Sequence, residues 1–82
     1  MTSLIHKYEK FRDLHTRPGT FVMPNPWNAG TARMLGSLGF EALATTSAGF
    51  AFAIGQRDSQ GAVSRDQILE NARDVTMATD LP

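Results

Sequence analysis

The stretch FVMPNPWNAGTARMLGSLGFEALATTSAG, residues 21–49, decides the fold because it holds most of a strand–helix–strand pattern. A short run rich in β-favouring residues, 20–24, predicts a first strand. A run with apolar residues at helical spacing predicts a helix over 29–38. The run 41–46 does not alternate strictly between apolar and polar residues, which is typical of a strand that is covered on both faces. Such a succession with short connections favours a parallel sheet of the α/β class.

Two further helices flank this pattern. An apolar stripe predicts a helix over 3–15, and a capping box between Ser64 and Gln67 predicts the start of a helix over 64–78. The intervening segment 47–62 is rich in Gly, Ala and Ser, so we predict a long loop there. Two strands are too few for a stable parallel sheet. Residues 1–82 are therefore expected to form the first part of a single larger α/β domain.

Composition excludes several classes of protein. The chain has eight basic and eight acidic residues, so a balanced charge gives no electrostatic reason to expect nucleic acid or an anionic membrane as a partner. It has no cysteine, which excludes disulfides, thiolate catalysis and cysteine-based zinc sites. No apolar run is long enough for a membrane span, and the charged N-terminus is unlike a signal peptide. We therefore expect a cytoplasmic protein.

The sequence resembles the opening of the isocitrate lyase and phosphoenolpyruvate mutase superfamily, from about residue 11 to residue 82. The resemblance rests on an ordered set of motifs: Asn-Pro-Trp-Asn-Ala-Gly at 25–30, Gly-Phe before a run ending in Thr-Thr-Ser-Ala-Gly, and Gly-Gln-Arg-Asp at 55–58. The chain is most similar to the shorter bacterial members related to 2-methylisocitrate lyase and carboxyvinyl-carboxyphosphonate phosphorylmutase.

This resemblance implies a TIM-type (β/α)8 barrel, of which the chain would supply the N-terminal helix and the first two βα units. A complete barrel needs roughly 250 residues. The family commonly forms homo-oligomers, often tetramers. Its members make or break C–C or C–P bonds next to a carboxylate, usually through a Mg²⁺-stabilised enolate of a 2-oxo acid. The resemblance thus implies a small carboxylic acid as substrate and Mg²⁺ as cofactor.

The resemblance also implies site residues. Thr46, Ser47 and Ala48 match the small-residue turn that holds a substrate carboxylate at the end of the second strand, with Thr46 in the place of a serine. Asp58 matches an aspartate near the metal, which makes it the candidate catalytic residue. Asn25 follows the first strand and is a further candidate for substrate binding, although it is also a common turn residue before proline. No metal ligand is assigned in this chain, because the family's main Mg²⁺ ligands correspond to positions beyond residue 82.

Several functions stay open at this stage. Cleavage of a C–C bond to release a 2-oxo acid is favoured, because Ala44 stands where mutases carry an aromatic residue. C–P mutase chemistry and oxaloacetate decarboxylation are alternatives within the superfamily. A non-catalytic interaction or structural fragment is the alternative from another class, since an isolated piece would expose strand edges and helix faces.

Overall fold

Four helices connected by extended segments and turns make up the part of the chain that the structure, a computed structural model, describes, residues 3–82. The first two residues of the predicted domain 1–82 lie outside this range. The helices are α1 Leu4–Thr16, α2 Ala29–Ser37, α3 Ser47–Ala53 and α4 Arg65–Ala78. None of the helices in residues 3–82 has the length and apolar character needed to cross a membrane.

Each of the four helices begins where a polar side chain accepts a backbone N–H of the first turn. The Ser3 side chain caps α1. Asn28 Oδ1 accepts the Thr31 N–H of α2 at 2.9 Å, and Thr31 Oγ1 accepts the Asn28 N–H at 3.2 Å. At α4, Ser64 Oγ accepts the Gln67 N–H at 3.1 Å while Gln67 Oε1 accepts the Ser64 N–H at 2.9 Å. Each capping bond satisfies a donor that has no partner within its helix.

The predicted loop 47–62 was wrong over its first half, because α3 occupies Ser47–Ala53. Thr46 supplies the cap, and alanine, the best helix former, is frequent in the segment. The helix ends in a Schellman motif, in which the Gly55 N–H donates to the Phe52 carbonyl at 3.1 Å and the Gln56 N–H to the Ala51 carbonyl at 2.8 Å. Gly55 has φ of +75°, a conformation that glycine adopts without strain. The loop was predicted because the run GFAFAI, residues 49–54, alternates and is bounded by glycines, a pattern that gives no helical signal over so short a helix.

The strands predicted over 20–24 and 41–46 are also not found, since no residue in 3–82 has strand structure. The two segments are extended neighbours joined by a single backbone bond, from the Ala44 N–H to the Pro24 carbonyl at 3.0 Å. On its other side, the Leu43 N–H donates to the Pro82 carbonyl at 2.9 Å. Segment 41–46 therefore lies between 20–24 and the last residues of the chain, but one bond on each side does not make a ladder.

Proline explains why the pairing with 20–24 stops after one backbone bond. In a parallel ladder, the residue whose N–H bonds to residue 24 receives its return bond from the N–H of residue 26. Residue 26 is proline, which has no N–H. The Ala44 carbonyl accepts a hydrogen bond from Asn25 Nδ2 instead, at 3.0 Å. A side-chain amide thus replaces the missing backbone donor.

The buried interior consists mainly of small side chains. Helix α2 packs against α4, and α3 makes a smaller contact with α4. Ala32, Ala42 and Ala51 have no exposed surface, and Pro26 is the largest side chain that is fully buried. Outside this interior, large apolar side chains face solvent on α1, α2, α3 and α4: Leu4, Ile5, Tyr8, Met34, Phe52, Leu69 and Met77.

Candidate functional site

The turn 46–48 joins the extended segment 41–46 to α3. Thr46 Oγ1 accepts the Gly49 N–H at 3.0 Å, so this hydroxyl is the N-cap of α3. Ser47 and Ala48 are the first two residues of that helix. No hydrogen bond within residues 3–82 uses their N–H groups. Two backbone donors and the Thr46 hydroxyl proton are thus available at this turn.

Asp58 lies next to the same turn. Ser47 Oγ donates to Asp58 Oδ2 at 3.2 Å, which joins two of the residues implicated by sequence across a separation of eleven positions. Both residues are exposed. A cavity of about 240 Å³ lies beside this pair, lined by Ser47, the loop 57–63 and Ile68. The loop bends back through two successive residues in the left-handed region, Gln60 at φ +54° and Gly61 at φ +69°.

Asn25 is placed differently from the other candidates. Its Nδ2 is engaged with the Ala44 carbonyl, two residues before Thr46, in the bond that replaces the missing proline donor. The structure therefore gives Asn25 a structural contact at the same end of segment 41–46. Its contact with a substrate stays a prediction, as do the substrate contacts of Thr46, Ser47 and Ala48.

The comparisons with known proteins agree with the sequence motifs. The family model for phosphoenolpyruvate phosphomutase matches residues 11–82. The chain belongs to this family. The resemblance to the isocitrate lyase and phosphoenolpyruvate mutase superfamily is thereby confirmed.

Two solved structures from Burkholderia cenocepacia J2315 are similar to this family member. One is a "putative lyase/mutase" with 58% identity and a TM-score of 0.85 over 93% of this chain. The other is a "putative phosphonomutase" with 36% identity and a TM-score of 0.77 over 93% of this chain. The present chain spans only 27% and 29% of the lengths of those two chains. Among curated proteins, no sequence matches it.

The candidate site of this family member carries one carboxylate. Within residues 3–82, no ion pair joins Asp58 to the neighbouring Arg57. The same residues contain no group of three or more His, Cys, Asp or Glu side chains that could hold a metal ion. Mg²⁺ needs six oxygen ligands, of which proteins commonly supply one or two carboxylates. Asp58 and the Ser47 hydroxyl could therefore contribute to a Mg²⁺ shell, but they do not form one by themselves.

Two residues that support the turn were missed by sequence reasoning. Trp27 lies against Gly49 in the first turn of α3: a methyl group built on Gly49 would come within 2.5 Å of Trp27 Cδ1. Asn71, on α4, is only 7% exposed and donates from Nδ2 to the Trp27 carbonyl at 2.7 Å. The signal in the sequence was a polar residue on the apolar face of a helix, because Asn71 is three residues from Ile68 and four from Val75. A buried polar side chain at such a position needs a partner.

Proposed function

We propose that this chain is the N-terminal part of a Mg²⁺-dependent lyase-type enzyme that cleaves or forms a C–C bond next to a carboxylate, through the enolate of a 2-oxo acid. The observation that carries the proposal is the 3.2 Å hydrogen bond between Ser47 Oγ and Asp58 Oδ2. This bond places Asp58 beside the turn 46–48, where the N–H groups of Ser47 and Ala48 have no hydrogen-bond partner within residues 3–82. Membership of the phosphoenolpyruvate phosphomutase family and the 58% identity to a "putative lyase/mutase" support the same class of reaction.

The turn has the donors that a carboxylate needs. The N–H groups of Ser47 and Ala48 and the hydroxyl of Thr46 would bind the substrate carboxylate by charge-assisted hydrogen bonds, which are stronger than bonds between neutral groups. As the bond next to the carboxylate breaks, negative charge spreads over the enolate. Donors that are already fixed by the fold can stabilise this charge without reorganising, which lowers the barrier. Asp58 is the ionisable group beside the turn, so we assign it the catalytic role.

Mg²⁺ belongs to the proposal as the group that stabilises enolate charge when bound. Asp58 is the one carboxylate in contact with the turn, so we infer that most of the ligands come from residues outside this chain. Calorimetric titration of the 82-residue chain with Mg²⁺ and pyruvate should therefore give no binding heat above dilution. A saturable isotherm with a 1:1 end point would contradict this assignment.

The proposal includes the architecture and setting of the whole enzyme. The extended segments 20–24 and 41–46 and the last residues of the chain are neighbours in chain order, as successive strands of a (β/α)8 barrel would be. In such barrels the site lies at the carboxyl ends of the strands, which is where Thr46 ends its segment. We further propose a small carboxylic acid substrate, a homo-oligomeric assembly such as a tetramer, and a cytoplasmic location.

A second candidate function is C–P bond chemistry of the phosphonopyruvate type. It is favoured by the family name and by the 36% identity to a "putative phosphonomutase". Ala44 argues against it, since mutases of the resembled group have an aromatic residue there. Oxaloacetate decarboxylation passes through an enolate of the same kind, which the same turn could stabilise, so it remains an alternative. Product analysis with 2-methylisocitrate, phosphonopyruvate and oxaloacetate separates the three reactions.

A non-catalytic role is the alternative from another class. The exposed apolar side chains of α1, among them Leu4, Ile5 and Tyr8, favour association with other protein surfaces. This role predicts that a full-length parent, meaning a protein of the length of the two solved relatives that begins with this chain, is inactive on all three acids.

The decisive test of the enzyme is the replacement Asp58→Asn in the full-length parent. It removes the charge while keeping the shape and the hydrogen bond to Ser47. We expect kcat/KM to fall roughly 10²-fold or more, as is common when a group acting on protons or charge is lost. Asp74→Asn, at an exposed position of α4, is the matched control and should leave kcat/KM within about twofold. Equal activity of the two variants would overturn the catalytic assignment of Asp58.

A further inference from the structure

Asn71 is the one buried polar residue of the described chain, and it is attached to the candidate turn through a second residue. Its Nδ2 lies 2.7 Å from the Trp27 carbonyl, across forty-four positions of sequence. This short bond is costly to lose, because the buried amide of Asn71 would be left without its partner. The main chain at Trp27 is thus fixed relative to α4.

Trp27 in turn limits where the turn can lie. Its indole packs on the bare Cα of Gly49, since a Cβ there would come 2.5 Å from Cδ1 and 3.1 Å from Nε1. The same position is bounded on another side by the Thr46 methyl group, 2.6 Å from that Cβ. Gly49 also donates its N–H to Thr46 Oγ1. A shift of the indole would therefore displace the hydroxyl and the first N–H groups of α3 together.

We propose that Asn71 is a positioning residue for the carboxylate-binding turn 46–48 and acts through the indole of Trp27. This inference rests on the proposed function, because it assumes that the turn binds substrate. The role is distinct from a general contribution to stability. Misplacing a binding group by about 1 Å can cost up to roughly a hundredfold in rate.

The test compares Asn71→Asp with Val75→Ala. The first variant is nearly isosteric, but it replaces an N–H donor by an oxygen that faces the Trp27 carbonyl. The second lies one turn further along α4, is buried to a similar degree at 6% exposed, and leaves the Asn71–Trp27 bond intact. In the full-length parent, we expect Asn71→Asp to lower kcat/KM by about ten- to a hundredfold, with part of the loss in kcat. Val75→Ala should leave kcat/KM within about twofold of the wild-type value. This should hold even if Val75→Ala lowers the melting temperature as much as Asn71→Asp does.

A spectroscopic measurement makes the inference independent of the assay. Trp27 is the only tryptophan of the 82-residue chain, so its emission spectrum and near-ultraviolet circular dichroism report on its surroundings directly. Asn71→Asp should shift both signals, and Val75→Ala should not. Unchanged tryptophan signals, or equal losses of kcat/KM in the two variants, would overturn the positioning role. A tryptophan shift in the 82-residue chain, together with a full-length parent that is inactive on every 2-oxo acid precursor, would instead overturn the proposed function and the assumption that the turn binds substrate.

Discussion

The two ends of the extended segment 41–46 differ in how their polar atoms are used. At its start, Glu41 forms a bidentate ion pair with Arg17, with N–O distances of 2.9 and 2.6 Å. At its end, Thr46 and the first residues of α3 make one capping bond and one hydroxyl–carboxylate bond, and two N–H groups stay unused. The first end satisfies its charges internally. The second keeps donors available, which is what a ligand-binding site requires.

The ion pair of the first end has the features of a structural contact. The hydrogen bond from Arg17 lowers the pKa of Glu41 below its ordinary value, and the same bond raises the pKa of Arg17. The pair also borders a cavity of about 360 Å³ between α1, residues 40–41 and Leu81. Arg17 and Glu41 are matched to each other, and none of the site residues implied by the family resemblance lines this cavity, so it is a weaker candidate for a substrate site than the smaller one at Asp58.

Among the replacements that test the two ends of segment 41–46, Thr46→Val should have the largest effect on function. Valine keeps the β-branched shape, but it loses the hydroxyl that both caps α3 and is available to a carboxylate. Loss of a hydrogen bond to a charged group costs roughly 1.5–3 kcal/mol, or about ten- to a hundredfold in kcat/KM. The lost cap should also lower the free energy of unfolding by about 1 kcal/mol.

Ser64→Ala is the control for this prediction, since it removes the cap of α4 far from the turn. It should lower stability by about 1 kcal/mol and leave kcat almost unchanged. Urea melts and steady-state kinetics of both variants in the full-length parent make the comparison. If Thr46→Val retained normal kinetics, the turn would be only a helix cap, and the two ends of segment 41–46 would not differ in function.

Gly49→Ala tests the packing on which the second end depends. The added methyl group would come within 2.5 Å of Trp27 Cδ1 and 2.6 Å of Thr46 Cγ2, so the indole or α3 must move. Overpacking of this kind costs about 1–3 kcal/mol of stability. Gly30→Ala, in α2, is the matched control because its nearest neighbour would be 3.7 Å away. Gly30→Ala should be neutral or stabilise the chain by up to about 1 kcal/mol. Equal free energies of unfolding for the two variants in urea melts would contradict the close packing of Trp27 on Gly49.

Glu41→Gln should have the smallest effect, and the effect should depend on pH. The folded-state pKa of Glu41 lies below its ordinary value of 4.5, so the stabilisation is present above that value and is lost as the pH falls. With side chains 52% and 44% exposed, the pair contributes little at any pH. The melting temperatures of wild type and Glu41→Gln should therefore differ slightly near neutral pH and converge in acid. Glu70→Gln serves as the control, and a gap that widens in acid would contradict the assigned sign.

Local signals in the sequence determined a good part of this structure. The capping box of Ser64 and Gln67 depends only on residues three positions apart, and it was predicted with the correct atoms. The resemblance to the family assigned the turn 46–48 and Asp58 to one site; the structure shows a hydrogen bond between Ser47 and Asp58, and their shared function stays a prediction. Such features are encoded locally, because helix caps and short motifs need no distant partner to form.

Tertiary structure decided the rest. Whether 20–24 and 41–46 form a ladder depends on which residue would donate its N–H to the Ala44 carbonyl, and Pro26 at that position has no N–H to donate. Sequence alone showed the prolines but not their register against another segment. The role of Asn71 was hidden for the same reason, since its partner Trp27 is distant along the chain and close only after α2 packs on α4. Hydrogen-bond partners at long range are fixed by packing, and no periodicity or spacing in a single sequence specifies them.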